Sequence, residues 1–110
     1  MSLLVDTSAW SLALRREGAD DAPSVMALHT ALLGADQVFT TGLVLQELLQ
    51  GFAGPKAGEQ IIERFATLAF LQPDREDHIE AAQVRNACCR KGVQVGTINA
   101  LLIQLCRRHC

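Results

Sequence analysis

Tyrosine is absent from this 110-residue chain, and all aromatic residues together make up 5% of it. A flat aromatic platform for stacked bases is therefore a poor fit. Basic charge is also scarce: ten Lys and Arg stand against twelve Asp and Glu, a formal net charge of −2. Any nucleic acid must then be held by local clusters, not by an overall positive field. No apolar run reaches the ~18 residues of a membrane span. The first residues lack the basic region and long apolar stretch of a signal peptide, so a cytoplasmic location is expected. Four cysteines are present, but no C-x-x-C pair, and Cys88 and Cys89 are adjacent, which argues against a secreted disulfide framework. Cys106, His109 and Cys110 form an incomplete zinc set. Small, buried apolar roles are expected for the cysteines.

What is present is a folded core. Apolar residues are 49% of the chain and charged residues 20%, the balance of a globular protein. The length suits one domain, though it is small for a complete α/β sheet. Leu3-Leu4-Val5 reads as a short strand buried on both faces. It stops on Asp6, with Thr7 or Ser8 placed to cap a helix from Ala9 to Arg16. A strand that delivers an acid to its C-terminal end, just ahead of a helix, puts it where open α/β sheets bind ligands. No Gly-rich loop follows, which excludes a dinucleotide or P-loop phosphate cradle.

The remaining elements follow in a regular order. A loop around Gly18, with Asp20 and Asp21 as solvated charges, leads to a helix starting near Pro23 and carrying Val25, Met26, Leu28, Leu32 and Leu33. Gln37–Thr40 is the second strand, and Thr41 the cap of a helix over 42–50 that Gly51 ends. A helix with Ile61, Ile62, Phe65 and Ala66 precedes the third strand, Ala69-Phe70-Leu71. The longest helix, Arg75 to Lys91, offers Ile79, Ala82, Val84, Ala87 and Cys88 to the core and stops at Gly92. Thr97 is read as the cap of a last apolar helix. Strand, helix, helix, three times over, argues a parallel sheet with crossovers. The chain stops at Cys110 with no cap signal, so a fragment or truncated form is expected.

Two polar residues stand out. Glu47 has Leu43, Val44, Gln50 and Gly51 as its helical neighbours, at the edge of an apolar face, where a carboxylate needs a partner or a metal. Asn99 lies in the first turn of the last helix. With Asp6 it can face the same crevice as Glu47, an oxygen-rich set that suits Mg²⁺ or Mn²⁺. Arg85 interrupts an apolar stretch and is positioned to pair with Glu47 or Asp6, or to hold phosphate. His29 and His78 show no partner pattern.

The stretches V-D-T-S-A-W, T-T-G-L-V-L-Q-E-L-L-Q-G and V-Q-V-G-T-I-N-A-L-L-I-Q resemble, in order and spacing, the three leading motifs of the PIN-domain family, and most closely its VapC-type toxins. The resemblance implies a PIN-like three-layer α/β/α fold with a short parallel sheet over 1–110, its C-terminal strands lacking from this chain. It also implies a Mg²⁺- or Mn²⁺-dependent ribonuclease toxin that is neutralised by a cognate antitoxin; separately, the apolar fraction and the Leu-rich helices leave room for a homodimer or a groove for a partner helix. Asp6 and Glu47 match the family's first two acids, and Thr7 or Ser8 the hydroxyl that follows the first. Asn99 stands where the third acid is expected, and a further acid would fall beyond Cys110. A weakened or inactive nuclease is therefore expected. The competing reading is a non-catalytic PIN-like module that holds RNA or an antitoxin. An unrelated phosphatase-like or phosphoacceptor domain ranks lower: Ser8 stands where a phosphatase needs a second Asp, and a phosphoacceptor's paired acids and later Lys are not evident.

Overall fold

The structure is a computed structural model that describes residues 2–14, 23–34, 37–52 and 54–110, without the side chains of residues 23–25, 29 and 33. The Gly18 loop with Asp20 and Asp21, the expected end of the first helix at Arg16 and the His29 side chain lie outside the described residues. The elements run β1 (Ser2–Leu4), α1 (Thr7–Leu14), α2 (Pro23–Leu33), β2 (Gln37–Thr40), α3 (Gly42–Gly51), α4 (Pro55–Phe65), β3 (Ala69–Phe70), α5 (Arg75–Arg90) and α6 (Thr97–His109). The strands form one parallel sheet in the order β1-β2-β3, with Leu3 beside Val38 and Phe39 beside Ala69. A parallel pair needs a crossover, and the helix pairs α1–α2 and α3–α4 supply the two required. Leu71 falls just outside β3, although its N–H still bonds the carbonyl of Thr40 at 2.8 Å.

Apolar side chains collect in two clusters. The larger joins α1–α4 to the sheet through Trp10, Leu28, Val38, Val44, Leu48, Ile61 and Phe65. Within it the Trp10 and Phe65 rings lie 4.8 Å apart at 49°, a tilted contact that suits their quadrupoles. The smaller joins α5 to α6 through Ala81, Ala100, Leu101 and Leu105, with Leu4, Leu43 and Leu71 against it. Leu4 touches both clusters, which sets the sheet between two groups of helices. Leu48→Ala, in the larger cluster, should cost about 2–5 kcal/mol in a denaturant titration.

Several expectations are corrected. β1 is not buried on both faces; each of its residues is half-buried, because it lies at an edge of the sheet as described while β2 lies in the middle. The buried stripe of α5 runs through Asp77 and Ala81, whereas Ile79 and Ala82 are exposed. Met26, Ile62 and Ala66 are exposed as well. None of the four cysteines is buried, since the outer face of α5 and the last turns of α6 carry them. Gly51 is the last residue of α3, not a left-handed stop. Gly92, at φ 81°, does terminate α5 in that conformation. Gly96, not Thr97, precedes the first turn of α6 and makes no side-chain cap.

The charged start of the α5 stripe has a physical cause. Asp74 and Asp77 cap each other reciprocally: the Asp77 N–H donates to Asp74 Oδ1 at 2.9 Å, and the Asp74 N–H donates to Asp77 Oδ2 at 3.0 Å. Arg108, in the last turn of α6, donates to Asp77 Oδ2 at 2.7 Å and to Asp74 Oδ2 at 3.1 Å. The Asp74 N–H, then Arg108 and Gln104, outweigh burial and hold the Asp77 carboxyl below its ordinary value. A carboxyl with a lowered folded-state pKa stabilises the protein above its unfolded value near ~3.9 and loses that contribution as pH falls through the folded one. Asp77→Asn should therefore melt below the parent at about pH 7, and the gap should narrow towards about pH 2 in melts followed by circular dichroism.

Candidate functional site

Where β1 ends, the chain turns into α1 through Asp6. Its Oδ1 accepts the Ala9 N–H at 3.0 Å, and its backbone carbonyl accepts the Trp10 N–H at 3.2 Å. Asp6 is thus itself the cap of α1. The expected caps, Thr7 and Ser8, are the first helical residues, and their hydroxyls do other work. Ser8 Oγ donates to Asp6 Oδ2 at 3.0 Å. Thr7 Oγ1 donates to Glu47 Oε1 at 2.6 Å, across forty residues of sequence. Each carboxylate is therefore held by the hydroxyl of an adjacent turn.

Glu47 reaches this point because α3 starts at a fixed place. Thr41, 1% exposed, accepts the Val44 N–H on its side chain at 3.3 Å, which anchors the first turn just past β2. Val44 and Leu48, buried on either side of Glu47 in sequence, pin the helix to the core. Glu47 stays half-buried at the edge of that face.

Asp6, Thr7, Ser8, Glu47 and Asn99 line one open cavity of about 510 Å³, together with Gly96, Thr97 and Ile98. Asn99 is exposed, in the third position of α6. Arg85 is not in this cavity. It is exposed on α5 and lines a neighbouring hollow. The expected ion pair with Asp6 or Glu47 does not form, because the ion pairs among the described residues all belong to Arg108.

The donors are those a hard divalent cation takes: two carboxylates and an amide carbonyl, all oxygen. Among the described residues no Lys, Arg or His offsets the two acids. No three His, Cys, Asp or Glu side chains come together there as a metal set; the third corner is the amide of Asn99. The residues present fit Mg²⁺ or Mn²⁺, with one negative charge fewer than a three-acid site has. Asp6 as a cap is the part that sequence reasoning missed. The cue was available, since Asp is among the strongest N-caps and stands directly before the helical run.

A three-stranded parallel sheet flanked by helices, with acids gathered past the ends of its first two strands, defines an α/β domain with an acidic cleft. The model of the PIN domain family matches residues 3–110, and the chain belongs to that family. No curated protein matches it. Among solved structures, the chain is similar to a chain of VapBC2 from Rickettsia felis bound to a DNA fragment from their promoter. The TM-score is 0.67 and the identity 17%, over 94% of this chain and 78% of that one.

The Thr7–Glu47 bond sets an expectation of its own. A hydrogen bond to a charged group contributes about 1.5–3 kcal/mol. Thr7→Val should lower unfolding stability by roughly that amount, and Thr7→Ser should restore most of it in a urea titration.

Proposed function

We propose that this chain is a ribonuclease of the toxin type that acts in the cytoplasm on RNA phosphodiesters with Mg²⁺ or Mn²⁺. Its other partners are a cognate antitoxin protein and a second copy of itself. The observation that carries the reading is the single cleft where Asp6, Glu47 and Asn99 meet, with both acids uncompensated among the described residues. Membership of the PIN domain family supports a nuclease. The likeness of fold to a VapBC complex supports an antitoxin partner. Among the described residues, no helix is long and apolar enough to cross a membrane.

Asp6, Glu47 and Asn99 are the residues that would hold the ion. When bound there, a divalent ion supplies Lewis acidity at the phosphate and eases deprotonation of an attacking water. Ser8 and Thr7 keep the carboxylates facing the cleft by donating to Asp6 Oδ2 and Glu47 Oε1. Asn99 contributes a neutral oxygen. The missing charge weakens attraction for a divalent ion by on the order of a few kcal/mol, so the nuclease is weak as it stands. The same amide favours a second reading, a PIN module that holds RNA or an antitoxin without cutting.

RNA cleavage in Mg²⁺ and Mn²⁺, with calorimetric Mn²⁺ titration, separates the two. Asn99→Asp should tighten Mn²⁺ binding and raise cleavage at least about tenfold, worth ~1.4 kcal/mol. In that background Asp6→Asn keeps a capping side chain and Glu47→Gln keeps an acceptor for Thr7, so both should fold and lose cleavage. Equal cleavage by the parent and Asn99→Asp sinks the weak-nuclease reading. Silence in every form favours the module that binds without cutting.

A further inference from the structure

Ile103, Cys106 and Cys110 follow one another at spacings of three and four residues along α6 and so share one face of that helix. Helical bonding carries on to the second thiol: the Cys110 N–H donates to the Cys106 carbonyl at 2.8 Å. Both cysteines are free and exposed. Partial desolvation, then the hydrogen bond and charge of the Cys106 thiol, push the Cys110 thiol up to about 11. Side chains four apart on a helix have Cβ atoms about 5–6 Å apart, whereas a disulfide needs about 3.5–4.5 Å. A direct S–S bond would therefore unwind the last turn. A single atom bonded to both sulfurs spans the gap with the helix intact.

The surroundings decide which atom fits. Among the described residues no third His, Cys, Asp or Glu joins the two thiols, so a four-coordinate structural zinc is not built. Two sulfurs alone suit a soft centre of low coordination number. Cys106 and Ile103 also line a hollow of about 650 Å³ together with Leu3, Leu4 and Leu102, within the size range of small-ligand pockets. Ile103 is 40% exposed, which leaves its side chain available to an apolar group held beside Cys106. Asp6 and Asn99 lie at the polar end of the same hollow. Asn99 is seven residues of α6 from Cys106, about 10 Å at ~1.5 Å per residue, so a compact group on the thiols leaves the acid cleft free.

We propose that Cys106 and Cys110 form a dithiol site for a soft, thiophilic centre that carries an apolar group, of the class of the organic trivalent arsenicals. Capture is an exchange with no change of oxidation state. From the hydrated form R–As(OH)₂, two As–O bonds and two S–H bonds break, two As–S bonds form, and two waters leave. Both sulfurs hold the same arsenic, so release needs two exchanges where a monothiol adduct needs one. The group R lies in the hollow along Ile103. Cys88 and Cys89 make no equivalent site, because successive residues of a helix do not face each other. The site stands apart from the reading of the acid cleft and does not depend on it.

Titration with phenylarsine oxide, followed by intact-protein mass spectrometry in EDTA and a phosphine reductant, tests it. The parent should retain one phenylarsenic group per chain in excess monothiol and release it to a dithiol. Cys106→Ser and Cys110→Ser should each weaken retention at least about tenfold, ~1.4 kcal/mol. The double variant Cys88→Ser/Cys89→Ser should retain the group as the parent does. The parent should also hold the phenyl compound better than methylarsonous acid, and Ile103→Lys should cut that preference about tenfold. Cys106, Cys110 and Ile103 are exposed, and melting curves check that the variants fold. A parent stripped by the monothiol, full retention in either α6 cysteine variant, or loss in the folded α5 double variant overturns the site. A phenyl preference unchanged by Ile103→Lys overturns the place given to the apolar group.

Discussion

Two hydroxyl groups on consecutive residues hold this molecule's acids in place. Thr7 and Ser8 open the same turn of α1, yet one donates to Glu47 on α3 and the other to Asp6 beside it. A carboxylate at the edge of an apolar face is costly unless hydrogen-bonded, and here both acids are satisfied without a cation. Their negative charge is therefore kept rather than cancelled. The tie from Thr7 also links the first strand–helix junction to the second, which parallel topology already places side by side.

Much of the fold was legible because it rests on short-range signals. β2 over Gln37–Thr40, the Thr41 cap, the start of α5 at Arg75 and its stop at Gly92 are all readable from apolar runs and cap chemistry. The error in α5 came from the opposite situation. Asp77 looks solvated in a linear pattern, and its burial rests on the Asp74 N–H together with Arg108, thirty-one residues later. The half-buried state of β1 is also a long-range property, fixed by strand order.

The site divides in the same way. Asp6, Glu47 and Asn99 were visible as acids or amides near strand ends or helix starts, and the topology brings them to one cleft. Arg85 was singled out because it interrupts an apolar stretch, and the structure places it one hollow away. That displacement follows the rotational phase of α5, whose buried stripe runs through Asp77 and Ala81. The hidden ion pair thus obscured both the core face of α5 and the place of its arginine.

The clamp of Arg108 on Asp74 and Asp77 has a consequence for how such sequences can diverge. α6 is thirteen residues long, and Asn99 and Arg108 stand about 14 Å apart along its axis, at ~1.5 Å per residue. Losing the arginine alone leaves a buried carboxylate without its cation, whereas losing the carboxylate alone leaves a half-exposed Arg108 that still reaches Asp74, so the arginine is the position that cannot change first. In relatives that keep this helix pair, loss of the arginine at 108 should be accompanied by an apolar residue at 77.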